Sequence, residues 1–119
     1  MFNLLSVFVG GGLGSVLRSF ISGKIGSHWG IMTVNLLGAM FIGLAVEYFA
    51  HKVNMRPEIR GFVITGLLGG FTTFSTYMLD FGNLVGNARH TEAFLYLLGS
   101  LVMGVAFLFL GLKIGKVVF

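Results

Sequence analysis

Residues 66 to 77 read Gly66-Leu67-Leu68-Gly69-Gly70-Phe71-Thr72-Thr73-Phe74-Ser75-Thr76-Tyr77, inside an apolar segment long enough to cross a membrane. Paired glycines weaken a helix, here at a depth where no water satisfies the freed backbone groups. The hydroxyls of Thr72, Thr73, Ser75 and Thr76 and the rings of Phe74 and Tyr77 follow at once. Irregular backbone and clustered hydroxyls at membrane depth are tolerated where they are buried in protein or line a polar cavity. The stretch reads as a helix broken in mid-membrane, at a place where an ion is handled.

Working outward, the chain has 119 residues, of which 55% are hydrophobic and only 10% charged. Its mean hydropathy is +0.93. Soluble domains carry about 25% charged residues, so the composition is that of a membrane protein. The length suits a single four-helix transmembrane domain over residues 1–119. No basic residue precedes the first apolar stretch and the first alanine is Ala39, so the first segment is expected to be a retained helix. Without cysteine, disulfides and thiolate chemistry are excluded. The net charge of +4 suits anionic headgroups or an anionic permeant, and is equally ordinary for a multi-pass protein of the cell (inner or plasma) membrane.

Four apolar stretches, at about residues 2–22, 30–50, 61–85 and 93–112, approach the roughly 20 residues that span the hydrocarbon core. The connections over 23–29, 51–60 and 86–91 are too short for a soluble domain. Gly10 and Gly14, Gly66 and Gly70, and Gly111 and Gly115 are spaced four apart, which lets helix backbones approach closely, within the chain or against a partner subunit. Lys52, Arg56, Arg60, Lys113 and Lys116 share the side of both termini, against Arg18, Lys24 and Arg89 on the other. Five against three favours cytoplasmic termini only weakly, so insertion in both orientations is open.

Enzyme chemistry is hard to assemble from these residues. Glu47, Glu58, Asp80 and Glu92 form no pair at an acid–base spacing, and His28, His51 and His90 fall in loops or at helix ends, where an interfacial or solvated imidazole is expected. Gly10-Gly11-Gly12-Leu13-Gly14 follows no strand and lacks a dinucleotide fingerprint. What remains is polar groups at depth. Asn35 is either a helix–helix hydrogen-bonding residue or a ligand contact. Tyr96, Ser100 and Gly104 share one helix face, as a polar track or a packing face with a back-bonded serine. Arg18 and Asp80 are ionisable in or near spans, which makes them functional candidates. Hydroxyls, an amide and aromatic edges suit a small hydrated anion, whereas exposed carbonyls at a break suit a hard cation.

With these residues in view, the chain resembles the Fluc (CrcB) family of fluoride channels over almost its whole length. The resemblance lies in Gly11-Gly12-Leu13-Gly14-Ser15-Val16-Leu17-Arg18, in Thr33-Val34-Asn35-Leu36-Leu37-Gly38, and most specifically in Gly69-Gly70-Phe71-Thr72-Thr73-Phe74-Ser75-Thr76. It implies an all-α membrane protein of four transmembrane helices, the third broken, assembled as a dual-topology antiparallel dimer with two pores at the subunit interface. It implies a structural Na⁺ at the dimer centre, held by the backbone carbonyls of Gly69 and Thr72 and their counterparts. Fluoride would pass Asn35, the aromatic box at Phe74 and Tyr77, and the track at Tyr96 and Ser100. Ser75 and Thr76 would lie in the same broken region, with Arg18 towards a vestibule where its charge gathers anions. Membrane lipid would surround the dimer, and nucleic acid is no partner.

Two positions depart from the family pattern: Tyr77 replaces a usual phenylalanine, and Gly104 stands where the track often carries a hydroxyl. They leave open a heterodimer with a homologous subunit. A small four-helix multidrug exporter would carry an acidic residue in its first helix, whereas the first acidic residue here is Glu47. A non-conducting membrane assembly subunit would leave Thr72 to Tyr77 unexplained.

Overall fold

The computed structural model describes residues 2–52 and 54–119; Met1 and Val53 of the expected domain lie outside them. Helix α1 (Phe2–Ile25) and helix α2 (Ser27–Ala50) are joined by Gly26 alone. Its φ of 78° lies in the left-handed region that only glycine adopts without strain. The turn is closed by the Gly26 N–H donating to the Ser22 carbonyl at 2.8 Å. The polar run over 23–29, expected to be a loop, is therefore almost entirely helical. Polarity marked where the membrane ends, and the helical hydrogen bonds continue past that edge. Gly30 then lies against α1, where a Cβ would sit 2.5 Å from the Ser22 carbonyl oxygen.

The third span runs over residues 57–86 in two limbs. The first comprises α3 (Pro57–Arg60), a π-helical segment (Gly61–Leu68) and the single turn α4 (Gly69–Phe71). Proline at the helix start loses no hydrogen bond there and presets the backbone angle. The second limb is α5 (Phe74–Gly86). Between the limbs Thr72 and Thr73 are extended, with φ and ψ of −95° and 156°, and −149° and 124°. The expected break is present, but two residues after Gly69-Gly70, both of which are helical.

Gly70, unlike Gly69, acts in packing. A Cβ on Gly70 would lie 2.5 Å from the Gly11 carbonyl oxygen, and one on Gly10 would lie 2.5 Å from that of Phe62. Gly14 packs on Leu67 and Phe71. Helix α1 is thereby seated backbone to backbone on the first limb of the third span. The fourth span, α6 (His90–Val118), is seated on α2 in the same manner, with Gly43 facing Leu108 and Leu112, Gly111 facing Met40, and Gly115 facing Glu47. All three small-residue pairs are used within the chain.

At 29 residues α6 passes the expected end near residue 112 and carries Lys113 and Lys116 outward. Four helices are long and apolar enough to cross a membrane. Their outer faces expose large apolar side chains such as Phe8, Phe20, Val102 and Phe109, while Val34, Ala93 and Tyr96 are fully buried. Such faces suit hydrocarbon, where close packing between helices supplies the cohesion.

Candidate functional site

The two extended residues of the third span are held by a side chain from α2. Asn35 Oδ1 accepts from the Thr73 N–H at 2.8 Å, and Asn35 Nδ2 donates to the Thr73 carbonyl at 3.0 Å. One amide thus satisfies both backbone groups of a residue that has left helical pairing, at a depth where unpaired groups cost several kcal/mol. Thr73 itself is the N-cap of α5, its Oγ1 accepting from the Thr76 N–H at 3.3 Å. A threonine ahead of a new helical run carries that signal, yet Thr73 was not singled out from the sequence. The Asn35 amide keeps a second N–H free of Thr73.

A cavity of about 360 Å³ opens beside this clamp. It brings together six of the expected residues: Asn35, Gly69, Thr72, Phe74, Tyr77 and Ser100. No ionisable acid or base is among its lining residues apart from the Tyr77 phenol. The Ser100 hydroxyl is buried beside the Tyr77 phenol and makes no hydrogen bond to the backbone among the described residues, so it is not back-bonded to its own helix. Phe74 leaves 70% of its surface exposed and meets Tyr77 edge to face, with centroids 6.1 Å apart. The Tyr77 hydroxyl donates to the Leu97 carbonyl on α6, so its ring and not its O–H is offered to the cavity.

The remaining expected residues lie around this cavity without lining it. Ser75 is exposed on α5, and Thr76 contributes its N–H to the cap. Tyr96 is buried behind Tyr77 at 5.2 Å between ring centroids, and its hydroxyl donates to Asp80 Oδ2 at 3.2 Å. The Asp80 partner was not paired from the sequence, although antiparallel α5 and α6 with a three-residue connection bring residues equidistant from the turn together. Of the two settings expected for His28, a solvated one is excluded: it stands at the helix end but is buried on the first turn of α2, 4.9 Å edge to face from Tyr96. Its Nε2 lies 3.2 Å from Glu92 Oε1, and Glu92 also pairs with Arg89. Arg18 reaches across from α1, its Nε donating to the Gly70 carbonyl at 3.1 Å.

The break leaves a distinctive set of carbonyls. Leu68 accepts from the Thr72 N–H and from Thr72 Oγ1, both at 3.2 Å; Gly70 is taken by Arg18 and Thr73 by Asn35. Among the described residues, no donor falls on the carbonyl of Gly69 or of Thr72. These are neutral, hard oxygens of the kind that suits an alkali or alkaline-earth cation. The chemistry of the donor set therefore fits the Na⁺ expectation, with two oxygens from this chain.

Four apolar spans around an uncharged, donor-lined cavity at a helix break define a multi-pass membrane protein built to pass or hold a small ion. The pattern of the family described as CrcB-like protein, Camphor Resistance (CrcB), matches residues 5–112. A protein of Aquifex aeolicus named fluoride-specific ion channel FluC is 40% identical over 119 residues, covering 95% of this chain and 96% of its own. One of the same name from Agrobacterium fabrum is 39% identical over 125 residues, with both chains covered completely. A third, from Hydrogenobaculum, is 39% identical over 118 residues, covering 95% of this chain and 97% of its own. The chain belongs to the CrcB family.

Proposed function

We propose that this chain forms a fluoride-selective channel, letting the ion leave the cell passively, and that it is no enzyme. One observation carries the reading: the cavity at the helix break gathers the Asn35 amide, the Ser100 side chain and an exposed Phe74 ring, with no acidic side chain on its wall. A small anion sheds water only where donors replace it. Asn35 supplies a spare N–H, Ser100 an O–H, and Phe74 and Tyr77 the positive edges of their rings. A cation would meet no carboxylate there. The names of the three relatives support fluoride as the anion.

The channel is an antiparallel dimer in this reading. Phe74 and Ser75 are exposed beside the cavity, and a second copy would cover them and close the path. Tyr96 would continue it behind Tyr77, with Thr76 fixing the start of α5. The free Gly69 and Thr72 carbonyls of both copies would hold a structural Na⁺, which supplies fixed positive charge between two helix breaks. A homologous partner subunit in place of a second copy is the alternative, favoured by the five-to-three charge bias across the membrane.

Purified protein in sealed liposomes loaded with fluoride tests this. Fluoride is expected to leave while chloride is retained. Equal chloride flux removes the selectivity, and no flux from the chain alone or with a homologous partner removes the channel.

A further inference from the structure

Where a helix ends, its last carbonyls lose their partners, and inside a membrane no water takes over. In an unbroken helix the Gly70 carbonyl would accept from residue 74. Extension of Thr72 and Thr73 puts that N–H out of reach. The group that arrives instead comes from 52 residues away, as the Arg18 Nε–H at 3.1 Å.

The delivery is built into the helix contact. Gly11 and Gly14 carry the backbone contact with Gly70, Leu67 and Phe71, and Arg18 follows on the same face of α1 at spacings of three and four. The absence of a Cβ at Gly14 and Gly70 sets the separation from which an arginine stem reaches the carbonyl. A cation at the C-terminal end of a helix also complements its dipole. The two recorded ion pairs among the described residues involve His28, Arg89 and Glu92, and Arg18 takes part in neither.

We propose that Arg18 is a positioning residue, a cap supplied by α1 to the first limb of the third span. By occupying the Gly70 carbonyl it fixes the last turn before the break, and it leaves the Gly69 and Thr72 carbonyls as the ones without a donor. Asn35 fixes the other side of the break through Thr73. The break is thus a rigid element clamped from two helices, and Arg18 acts on the path through backbone geometry.

Hydrogen exchange on the full-length protein in lipid nanodiscs tests the cap independently of transport. In Arg18→Met, which keeps the length of the stem but has no donor, backbone amides of residues 70–73 are expected to exchange about tenfold faster or more, as loss of a charge-assisted bond implies. Amides of residues 96–108 in α6 should keep their parental rates. Fluoride efflux should fall in parallel, and only this arm rests on the fluoride reading. Arg18→Lys retains the charge but has a methylene where the Nε–H stood, so it should also quicken exchange at 70–73; it answers the question if the methionine variant fails to assemble. A folded variant whose exchange at 70–73 stays parental overturns the cap, even if its flux falls, and makes Arg18 an electrostatic residue of the pore mouth. Faster exchange in a protein whose parent passes no fluoride upholds the cap and removes the fluoride reading.

Discussion

Asn35 and Ser100 face one cavity, but their bonding within the chain differs, and so do the expected effects of removing them. Asn35 holds both backbone groups of Thr73. Asn35→Ala strands two polar groups at depth and should cost about 2 kcal/mol or more in thermal or denaturant unfolding. Asn35→Asp can still accept from the Thr73 N–H, but its charge faces the Thr73 carbonyl and any approaching anion, so fluoride efflux should collapse. Ser100 makes no hydrogen bond to the backbone among the described residues, and its hydroxyl lies beside the Tyr77 phenol. Ser100→Ala should therefore leave stability within about 0.5 kcal/mol while slowing fluoride efflux several-fold. Parental efflux from folded Ser100→Ala would show that this hydroxyl does not meet the anion. Phe74→Ile keeps bulk and removes the aromatic edge, and efflux should fall with little change in helical content. The residue types at these positions were legible in the sequence. The commitment of Asn35 to Thr73 was not, because it depends on where the third span leaves helical geometry.

At the scale of the element, glycine has two separable roles. Gly70 permits close approach: its added Cβ would stand 2.5 Å from the Gly11 carbonyl oxygen, a position that only a shift of α1 would relieve. Gly70→Ala should lower the melting temperature and efflux together, and Gly70→Val more so. Gly23, exposed on α1, has nothing within 4 Å of an added Cβ. Gly23→Ala should be neutral or stabilising by up to about 1 kcal/mol through helix propensity alone. Equal losses in both variants would place the glycines' role in the unfolded chain and not in the helix contact. Four-residue spacing marked which glycines pack, but not against what. The sequence left open whether the three pairs faced a partner subunit, and each meets a helix of its own chain.

For the whole molecule, the proposed dimer and its cation make a joint prediction. Two oxygens per chain cannot coordinate a hard cation fully, so antiparallel copies should share one ion. Replacing Na⁺ with a large organic cation on both sides should abolish fluoride efflux or dissociate the dimer. Efflux with Na⁺ present should proceed without net Na⁺ movement, and strict coupling of the two fluxes would overturn a structural role. Crosslinking of a single-gene product tagged for orientation should trap pairs of opposite topology. Pairs found only with a homologous subunit would support the heterodimer.

Sequence by itself determined the four spans, the presence of a discontinuity in the third and the hydroxyl-rich segment at it. Hydropathy and local composition report transfer to lipid and the cost of helix directly. Tertiary structure decided where the discontinuity falls. Gly69 and Gly70 could have broken the helix, yet they remain helical in the turn that Gly70 and Phe71 seat against Gly11 and Gly14, and the chain leaves helical geometry at Thr72 and Thr73, where Asn35 supplies the missing partners. The same holds for His28 and Arg18: buried against Tyr96 and drawn onto the Gly70 carbonyl, they owe their surroundings to residues far along the chain. Which backbone groups are left without water, and which distant side chain can reach them, is a property of packed helices and not of any single one.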